Sequence, residues 1–242
     1  MANEQQKEAA ARASVKFVHD GDVVGLGTGS TAQYAVRLLA DQVRSGLKIQ
    51  GIPTSIGTRD LAQGLGIPLT TLDQFQEIDV TIDGADEINP QLCLIKGGGG
   101  ALLREKVIAS ASRKLVIIAD SSKQVAVLGK FPLPVEVIAF AQPLIEKRIA
   151  GLGAEVRERL SADGKAFVTD EGHRILDCNF GHIDDPAALA NALKAIPGIV
   201  EHGLFVGMAD IVLIAKDDQV LQLEKPRAER EGSAHNLPQR RQ

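Results

Sequence analysis

Short apolar runs alternate with amphipathic stretches over the first 120 residues, and nearly every apolar run ends in glycine, hydroxyl or charged residues. In "DVVGLGTGSTAQYAVRLLADQV", residues 22–43, a buried strand, a tight turn and a helix with a 3.6-residue apolar repeat follow one another. A helical repeat precedes it from Ala9 to Val18. After it come a strand in "LKIQGIPTS", a helix around Thr58 to Gly64, a short strand "IPLTTL", and "EIDVTIDGADEI", whose strand ends in acids. "LCLIKGGGG" leads into a further helix starting near Ala101, and "KLVIIADSSK" is another buried strand with a polar end. This alternation predicts an α/β fold with a mostly parallel sheet covered on both faces. Such sheets bind ligands where the loops at their carboxyl ends converge. The expected pocket therefore draws on Thr28 to Thr31, Ser55, Asp83 to Glu87, Lys96 to Gly100 and Ser121 to Lys123.

From Phe131 the pattern changes. "PVEVIAF", a helix in "PLIEKRIAGLG", strands "AEVRERL", "AFVTDE" and "RILDCNF", a helix in "PAALANALKAIPG" and a strand "IVEHGLF" predict a compact α+β unit inserted over residues 131–206. "SADGKA" between the first two of those last strands is a hairpin signal. "ADIVLIA", Ala209 to Ala215, is expected to return to the first sheet, so that residues 1–130 and 207–224 form one domain. Residues 225–242 are polar, without apolar periodicity, and are expected to lack a packed position.

A net charge of -4 and an aromatic content of 3% argue against a nucleic-acid surface, which needs a basic stripe and stacking rings. No run of 18 apolar residues and no apolar leader is present, so neither membrane spanning nor export is indicated and a soluble cytoplasmic protein is expected. Cys93 and Cys178 lie far apart outside any Cys-x-x-Cys pattern, which suits reduced core residues rather than a disulfide or a zinc site. Small molecules are the expected partners.

Three motifs carry chemistry. In "GLGTGSTA" the glycines permit a tight turn, and the amides and hydroxyls of Thr28, Gly29, Ser30 and Thr31 at a helix start suit a phosphate. A purely structural strand-to-helix turn remains open. NAD binding fits poorly, since Ser30 replaces the third glycine and no acid ends the next strand; a Walker loop lacks its lysine. "DGADEI" places Asp83, Asp86 and Glu87 together, for substrate hydroxyls and protons, for capping, or for a hard metal. In "KGGGGALLREK" the glycines let amides approach a ligand, Lys96 adds charge, and Glu105 turns back to the same space while Arg104 and Lys106 point elsewhere. The alternative for Glu105 is a solvated helix face.

These motifs, with "ADSSK", "GHIDDP", "AIPGIVEHGLF" and "ADIVLI", resemble type A ribose-5-phosphate isomerases in order and spacing from about residue 5 to residue 223. The resemblance implies a Rossmann-like domain with an inserted ferredoxin-like α+β domain, a homodimer or homotetramer, and no metal or cofactor. It implies interconversion of ribose 5-phosphate and ribulose 5-phosphate, in the pentose phosphate pathway or in carbon fixation. By the same likeness Thr28 to Thr31, Gly84, Ala85, Gly97, Gly98, Gly99 and Lys123 bind the sugar phosphate, and Lys7 sits where the family often contacts phosphate. Glu105 would be the proton acceptor of a cis-enediol route. Asp83 would assist ring opening, Asp86 would orient hydroxyls and hold Lys96, and Lys96 with the amides of Gly97 to Gly100 would stabilise the enediolate. "VGMADIV" departs from the family's usual segment before the last strand. A sugar-phosphate sensor without chemistry and a metal-dependent isomerase are the competing classes.

Overall fold

Residues 2–225 are described in a computed structural model of the chain. Of the tail expected to lack a packed position, residues 225–242, all but Lys225 lie outside the described residues, and Lys225 donates to the Asp210 and Gly207 carbonyls. In chain order the first unit contains α1 (Ala2–Ser14), β1 (Val23–Leu26), α2 (Ser30–Arg44), β2 (Gln50–Pro53), α3 (Ile56–Gly64) and β3 (Val80–Gly84). It continues with β4 (Glu87–Ile88), β5 (Leu94–Ile95), α4 (Leu102–Ser110) and β6 (Leu115–Asp120). The second unit runs through β7 (Leu133–Val137), α5 (Gln142–Ala150), β8 (Glu155–Glu158), β9 (Arg174–Asn179), α6 (Pro186–Lys194) and β10 (Ile199–His202). The chain then returns through β11 (Leu204–Phe205), β12 (Ile211–Lys216) and β13 (Gln219–Glu224).

The main sheet has the order β13-β12-β6-β3-β1-β2, parallel except for the β13 edge. Its inner strands are buried along their length because both faces are covered. Along β3, β6 and β12, Val80, Ile82, Val116, Ile118, Ile211 and Leu213 face the layer of α1 to α3. α2 supplies that layer with Ala32, Ala35, Val36, Leu39 and Ala40, the spacing of a single helical face. The alternate residues Leu115, Ile117, Val212 and Ile214 pack on the opposite face. The same two-residue period puts Asp83 with Thr81 on that second face. Strand order reverses between β1 and β3, which opens a crevice at their carboxyl ends.

In the second unit the order is β10-β7-β9-β8, all antiparallel, with α5 and α6 supplying the crossings. This β-α-β-β-α-β path is the ferredoxin-like arrangement. It has its own core, including Leu133, Val135, Ile145, Ile149, Leu176, Cys178 and Leu193. Cys178 is buried, Cys93 is half-buried against the same cluster, and no disulfide joins them. No helix among the described residues is long and apolar enough to cross a membrane.

Several elements differ from the sequence reading. α1 begins well before Ala9, in turns held by Glu4–Lys7 and Glu8–Arg12 pairs that carry no apolar signal, and it tightens into a 3₁₀ turn at Val15–Phe17. "IPLTTL" gives only a single bridge, Leu69 to Gly51, next to Pro68, which has no amide to extend a ladder. β4 and β5 leave the parallel sheet and join β11 in a small antiparallel one. Their connection, residues 89–93, is too short for a parallel crossover, and Asn89 Oδ1 closes it by accepting from the Gln91 and Cys93 amides. "SADGKA" does form a hairpin turn, but "AFVTDE" contributes just the Leu160–Ala166 bridge before peeling away. "IVEHGLF" splits at Gly203, where a Cβ would lie 2.3 Å from the Lys96 carbonyl, so β10 and β11 belong to different sheets. β13 was not anticipated; its exposed edge position leaves no continuous apolar run.

Candidate active site

The crevice between β1 and β3 is where the loops meet. Gly27 passes so close to β3 that a Cβ would lie 2.4 Å from Asp83 Oδ1 and 2.5 Å from the Asp83 Cα, and no larger residue fits. This approach lets the Thr28 amide donate to Asp83 Oδ1 at 3.1 Å. The Thr28 hydroxyl points inward, 2.8 Å from Thr54 Oγ1 and from Ser55 Oγ and 3.1 Å from Thr58 Oγ1. The amide and hydroxyl of Thr28 are therefore engaged by the protein, which leaves Ser30, Thr31 and the first turn of α2 as the groups of this loop that a ligand could reach. Gly29, with φ of 109°, begins that helix and no side chain caps it. First-turn amides lack intrahelical acceptors, so they stay open to an anion.

Across the crevice, Lys96 ends the β5 segment with its amide on the Gly203 carbonyl. Its ammonium is buried and makes three contacts, to Gly84 O at 2.6 Å, Asp83 Oδ2 at 3.0 Å and Glu105 Oε1 at 3.2 Å. Glu105 reaches it from the first turn of α4. Its Oε2 is buried with no hydrogen-bond partner. Arg104 turns away to Asp170 and Glu171, and Lys106 to Glu201 and the His202 carbonyl, as the helical wheel predicts. Asp86 does not hold Lys96 as expected: its Oδ2 accepts from the Gly98 amide at 2.7 Å, and Asp83 takes the lysine instead. The reason is geometric, since the turn after Gly84 sends Asp86 to the glycine loop while Asp83 stays on the sheet face below α4.

The glycine loop is more constrained than its composition suggests. Gly98 N is on Asp86 and Gly100 N on the Gly97 carbonyl, which leaves the Gly97 and Gly99 amides for a ligand rather than all four. A Cβ on Gly98 would lie 2.6 Å from Asp86 Oδ1, and one on Gly100 would lie 2.5 Å from the Phe167 ring.

A cleft is lined by Thr28, Gly29, Ser30, Thr31, Gly84, Ala85, Asp86, Lys96, Gly97, Gly98, Gly99, Glu105 and Lys123. Of the sequence-predicted site residues, Lys7, Ser55, Asp83, Glu87, Gly100, Ser121 and Ser122 are not in its wall. Asp83 lies beneath it, enclosed by Thr28, Gly84 and Lys96. Lys7 is on α1, paired with Glu4 at 2.7 Å. Ser55 caps α3 through the Thr58 amide. Glu87 is turned away and accepts from the Gly129 and Phe131 amides, holding the entry to the second unit. Ser121 donates its amide and hydroxyl to Gln6 Oε1. Arg159, which the sequence did not single out, donates from the second unit to the Gly97 and Gly98 carbonyls.

Two carboxylates and one ammonium share a buried space, so a second negative charge is disfavoured. Burial pushes Glu105 up to about 8; Lys96 opposes the shift and Asp83 adds to it. Asp83 is raised as well, again by burial against the pull of Lys96. For Lys96, burial opposes the charge, but Asp83 and Glu105 outweigh it and its pKa rises. The raised values favour a proton on the carboxyl groups while Lys96 keeps its charge. The acids of "DGADEI" diverge, and among the described residues no group of three or more His, Cys, Asp or Glu side chains is arranged to hold a metal ion.

Comparison with known proteins places these features in a family. A sequence profile for ribose 5-phosphate isomerase A (phosphoriboisomerase A) matches residues 50–219. Ribose-5-phosphate isomerase A of Nitrobacter hamburgensis is 51% identical over 226 residues, covering 91% of this chain and 97% of that protein. The Sinorhizobium fredii protein of the same name is 55% identical over 217 residues, covering 87% and 94%. Ribose 5-phosphate isomerase A of Methanocaldococcus jannaschii superimposes with a TM-score of 0.88 at 41% identity, covering 92% of this chain and 99% of that one. A D-ribose-5-phosphate isomerase solved in complex with phospho-erythronic acid gives 0.90 at 39% identity, covering 93% and 100%. Sequence and fold agree: the chain belongs to the ribose 5-phosphate isomerase A family and is an aldose-ketose isomerase.

Proposed function

We propose that the enzyme interconverts D-ribose 5-phosphate and D-ribulose 5-phosphate through a cis-enediolate, with Glu105 moving the proton between C2 and C1. The observation that carries this reading is the buried, unpartnered Oε2 of Glu105 at a cleft whose opposite end is an open helix start. Ser30, Thr31 and the first-turn amides of α2 bind the phosphate, with Lys123 at the same rim. That anchor holds the reacting carbons near Glu105 and supplies the positioning that a bimolecular encounter lacks.

Burial makes Glu105 a stronger base than a solvated carboxylate. The enediolate oxygens develop negative charge beside Lys96 and the Gly97 and Gly99 amides, which therefore favour the transition state over the neutral sugar. The three hydrogen-bond and ion-pair contacts of Lys96 are all to groups of the protein. When Glu105 takes the proton its hold on Lys96 weakens, and a donor becomes available as the substrate oxygen acquires charge. Ring opening is assigned to Asp83, whose raised proton affinity suits a donor to the ring oxygen, with Asp86 in the cleft wall orienting hydroxyls. Asp83 reaches the sugar only when ligand entry displaces one of its enclosing contacts.

Residues 1–130 with 207–224 form the catalytic domain and 131–206 the inserted one in this reading, supported by two apolar clusters, the second lying mostly in 131–206 and taking in Ile95 and Leu128 of the first unit. The chain acts as a homodimer or homotetramer, cytoplasmic, in pentose phosphate metabolism and without a cofactor. Phe140, 96% exposed next to Ile138 and Leu144, is an apolar face suited to a subunit contact. Sedimentation of the enzyme tests the assembly; a monomer at working concentration contradicts it.

The mechanism is tested in deuterated water. Proton transfer through Glu105 places deuterium at C1 of ribulose 5-phosphate, read by NMR. Unlabelled product together with full turnover by Glu105→Gln would overturn it.

A further inference from the structure

Glycine restricts its own backbone least of all residues, so a loop of four has nothing internal to decide which way its peptides face. A peptide unit is planar and trans, with its carbonyl and its amide hydrogen on opposite sides. Fixing the carbonyl of Gly97 therefore fixes the amide of Gly98, and fixing the carbonyl of Gly98 fixes the amide of Gly99. Both carbonyls are held by one group. Arg159 Nη1 donates to Gly97 O at 2.8 Å and to Gly98 O at 3.1 Å. The Gly98 amide consequently faces Asp86 on the cleft side, and the Gly99 amide is turned away from Arg159 in the same way.

Arg159 is itself immobilised. Its Nε donates to Asp177 Oδ2 at 2.9 Å and its Nη2 to Asp177 Oδ1, a paired fork that leaves Nη1 as the nitrogen facing the loop. Its side chain is only 13% exposed. Its backbone is fixed on both sides, with the amide on Ile175 O and the carbonyl on the Phe167 amide. The Phe167 ring lies against Gly100 from the same hairpin, so the second unit grips the loop at both ends. Neither residue lines the cleft.

We propose that Arg159 is a positioning residue for the isomerisation: held by Asp177, it locks the 97–98 and 98–99 peptides so that the Gly99 amide faces the developing enediolate. This rests on the reading of the glycine loop as the anion-stabilising wall. Without the guanidinium the 98–99 peptide is free to rotate, and a carbonyl turned into the cleft repels the same charge. Lysine cannot substitute, because it has neither the planar fork nor a second nitrogen for the loop.

The test compares Arg159→Lys with the parent enzyme in turnover and in affinity for two probes. One is a phosphorylated four-carbon aldonate, whose carboxylate stands in for the enediolate oxygens; the other is inorganic phosphate, which reports on the α2 site alone. The expected result is a kcat lower by about ten- to a hundredfold, the scale of a misplaced reacting group. KM stays within about threefold. Aldonate affinity falls in proportion to kcat/KM, as for any mimic of the transition state, and phosphate affinity is unchanged. Unchanged kcat in folded Arg159→Lys, or equal weakening of both probes, overturns the proposal. Should that variant fail to fold, Asp177→Asn loosens the same fork and is read identically. Glu105→Gln run in parallel separates the two claims. Full turnover there removes the enediolate reading itself, whereas an inactive Glu105→Gln beside a fully active Arg159→Lys removes only the clamp.

Discussion

Glu105 gives one carboxylate oxygen to Lys96, at 3.2 Å, and keeps the other buried without a hydrogen-bond partner. An unpaired buried acceptor is unfavourable for the folded protein, and a ligand that supplies a proton to it relieves the penalty. The pair therefore links the stability of the fold to its chemistry.

The pH dependence follows from that burial. With its pKa near 8, Glu105 is mostly protonated in the free enzyme at neutral pH and gains its base form as pH rises. Measured with ribose 5-phosphate, kcat/KM is expected to climb about tenfold per pH unit below that value and to level off above it. A profile flat between about pH 6.5 and 9 would mean that a different group, or none, limits the free enzyme.

Glu105→Gln separates activity from stability. Activity is expected to fall by about two to four orders of magnitude, the scale of a lost acid-base group. Stability moves the other way at alkaline pH. A carboxyl whose folded pKa is raised binds its proton more tightly folded than unfolded, so stability drops as pH rises from the model-peptide value of 4.5 through about 8. Glutamine removes that titration and leaves Lys96 paired with Asp83. The variant should melt above the parent at pH 9, by an amount on the order of a few kcal/mol, with the gap narrowing at pH 6. A gap independent of pH would show that Glu105 is not titrating there.

Exhaustive treatment with EDTA is expected to leave turnover unchanged. The acids that could have formed a hard-metal site are committed elsewhere, Asp83 to Lys96, Asp86 to Gly98 and Glu87 to the backbone at Gly129 and Phe131. Activity lost to the chelator and restored by a divalent cation would reinstate the metal-dependent class.

What the sequence disclosed was set by which interactions leave a local trace. The inner strands of the main sheet were legible because burial on both faces demands continuous apolar runs, as in "VVGL" and "LVIIAD". β4 and β5 carry the same apolar signature but pair antiparallel, and only the Asn89 turn tells them apart from parallel neighbours. The glycine motifs were legible because they mark backbone approaches that no other residue permits. Which aspartate holds Lys96 was not, since Asp83 and Asp86 are three residues apart and the bend after Gly84, at the end of β3, decides between them. Arg159 left no trace, because its partners on the loop are main-chain carbonyls that every sequence possesses.

Two glycines at the crevice should respond oppositely to alanine. At Gly27 the added methyl would sit 2.4 Å from Asp83 Oδ1 and 2.5 Å from both the Asp83 Cα and the Ile82 carbonyl oxygen. Backbone in the centre of a sheet cannot retreat, so Gly27→Ala is expected to lower stability by about 2 kcal/mol or more, with activity falling because the fold is disturbed. At Gly99 the nearest atom to a Cβ is Thr28 Cγ2, an ordinary contact at 3.8 Å, and the backbone is not left-handed. The fold tolerates that methyl, and Gly99→Ala should melt within about 1 kcal/mol of the parent. Its side chain would stand in the cleft wall, beside the amide proposed to face the enediolate, so kcat/KM is expected to drop about tenfold or more with stability intact. Thermal melting and steady-state kinetics on both variants distinguish these outcomes. If Gly99→Ala keeps full activity, no ligand approaches that backbone closely, and the glycine run serves packing rather than catalysis.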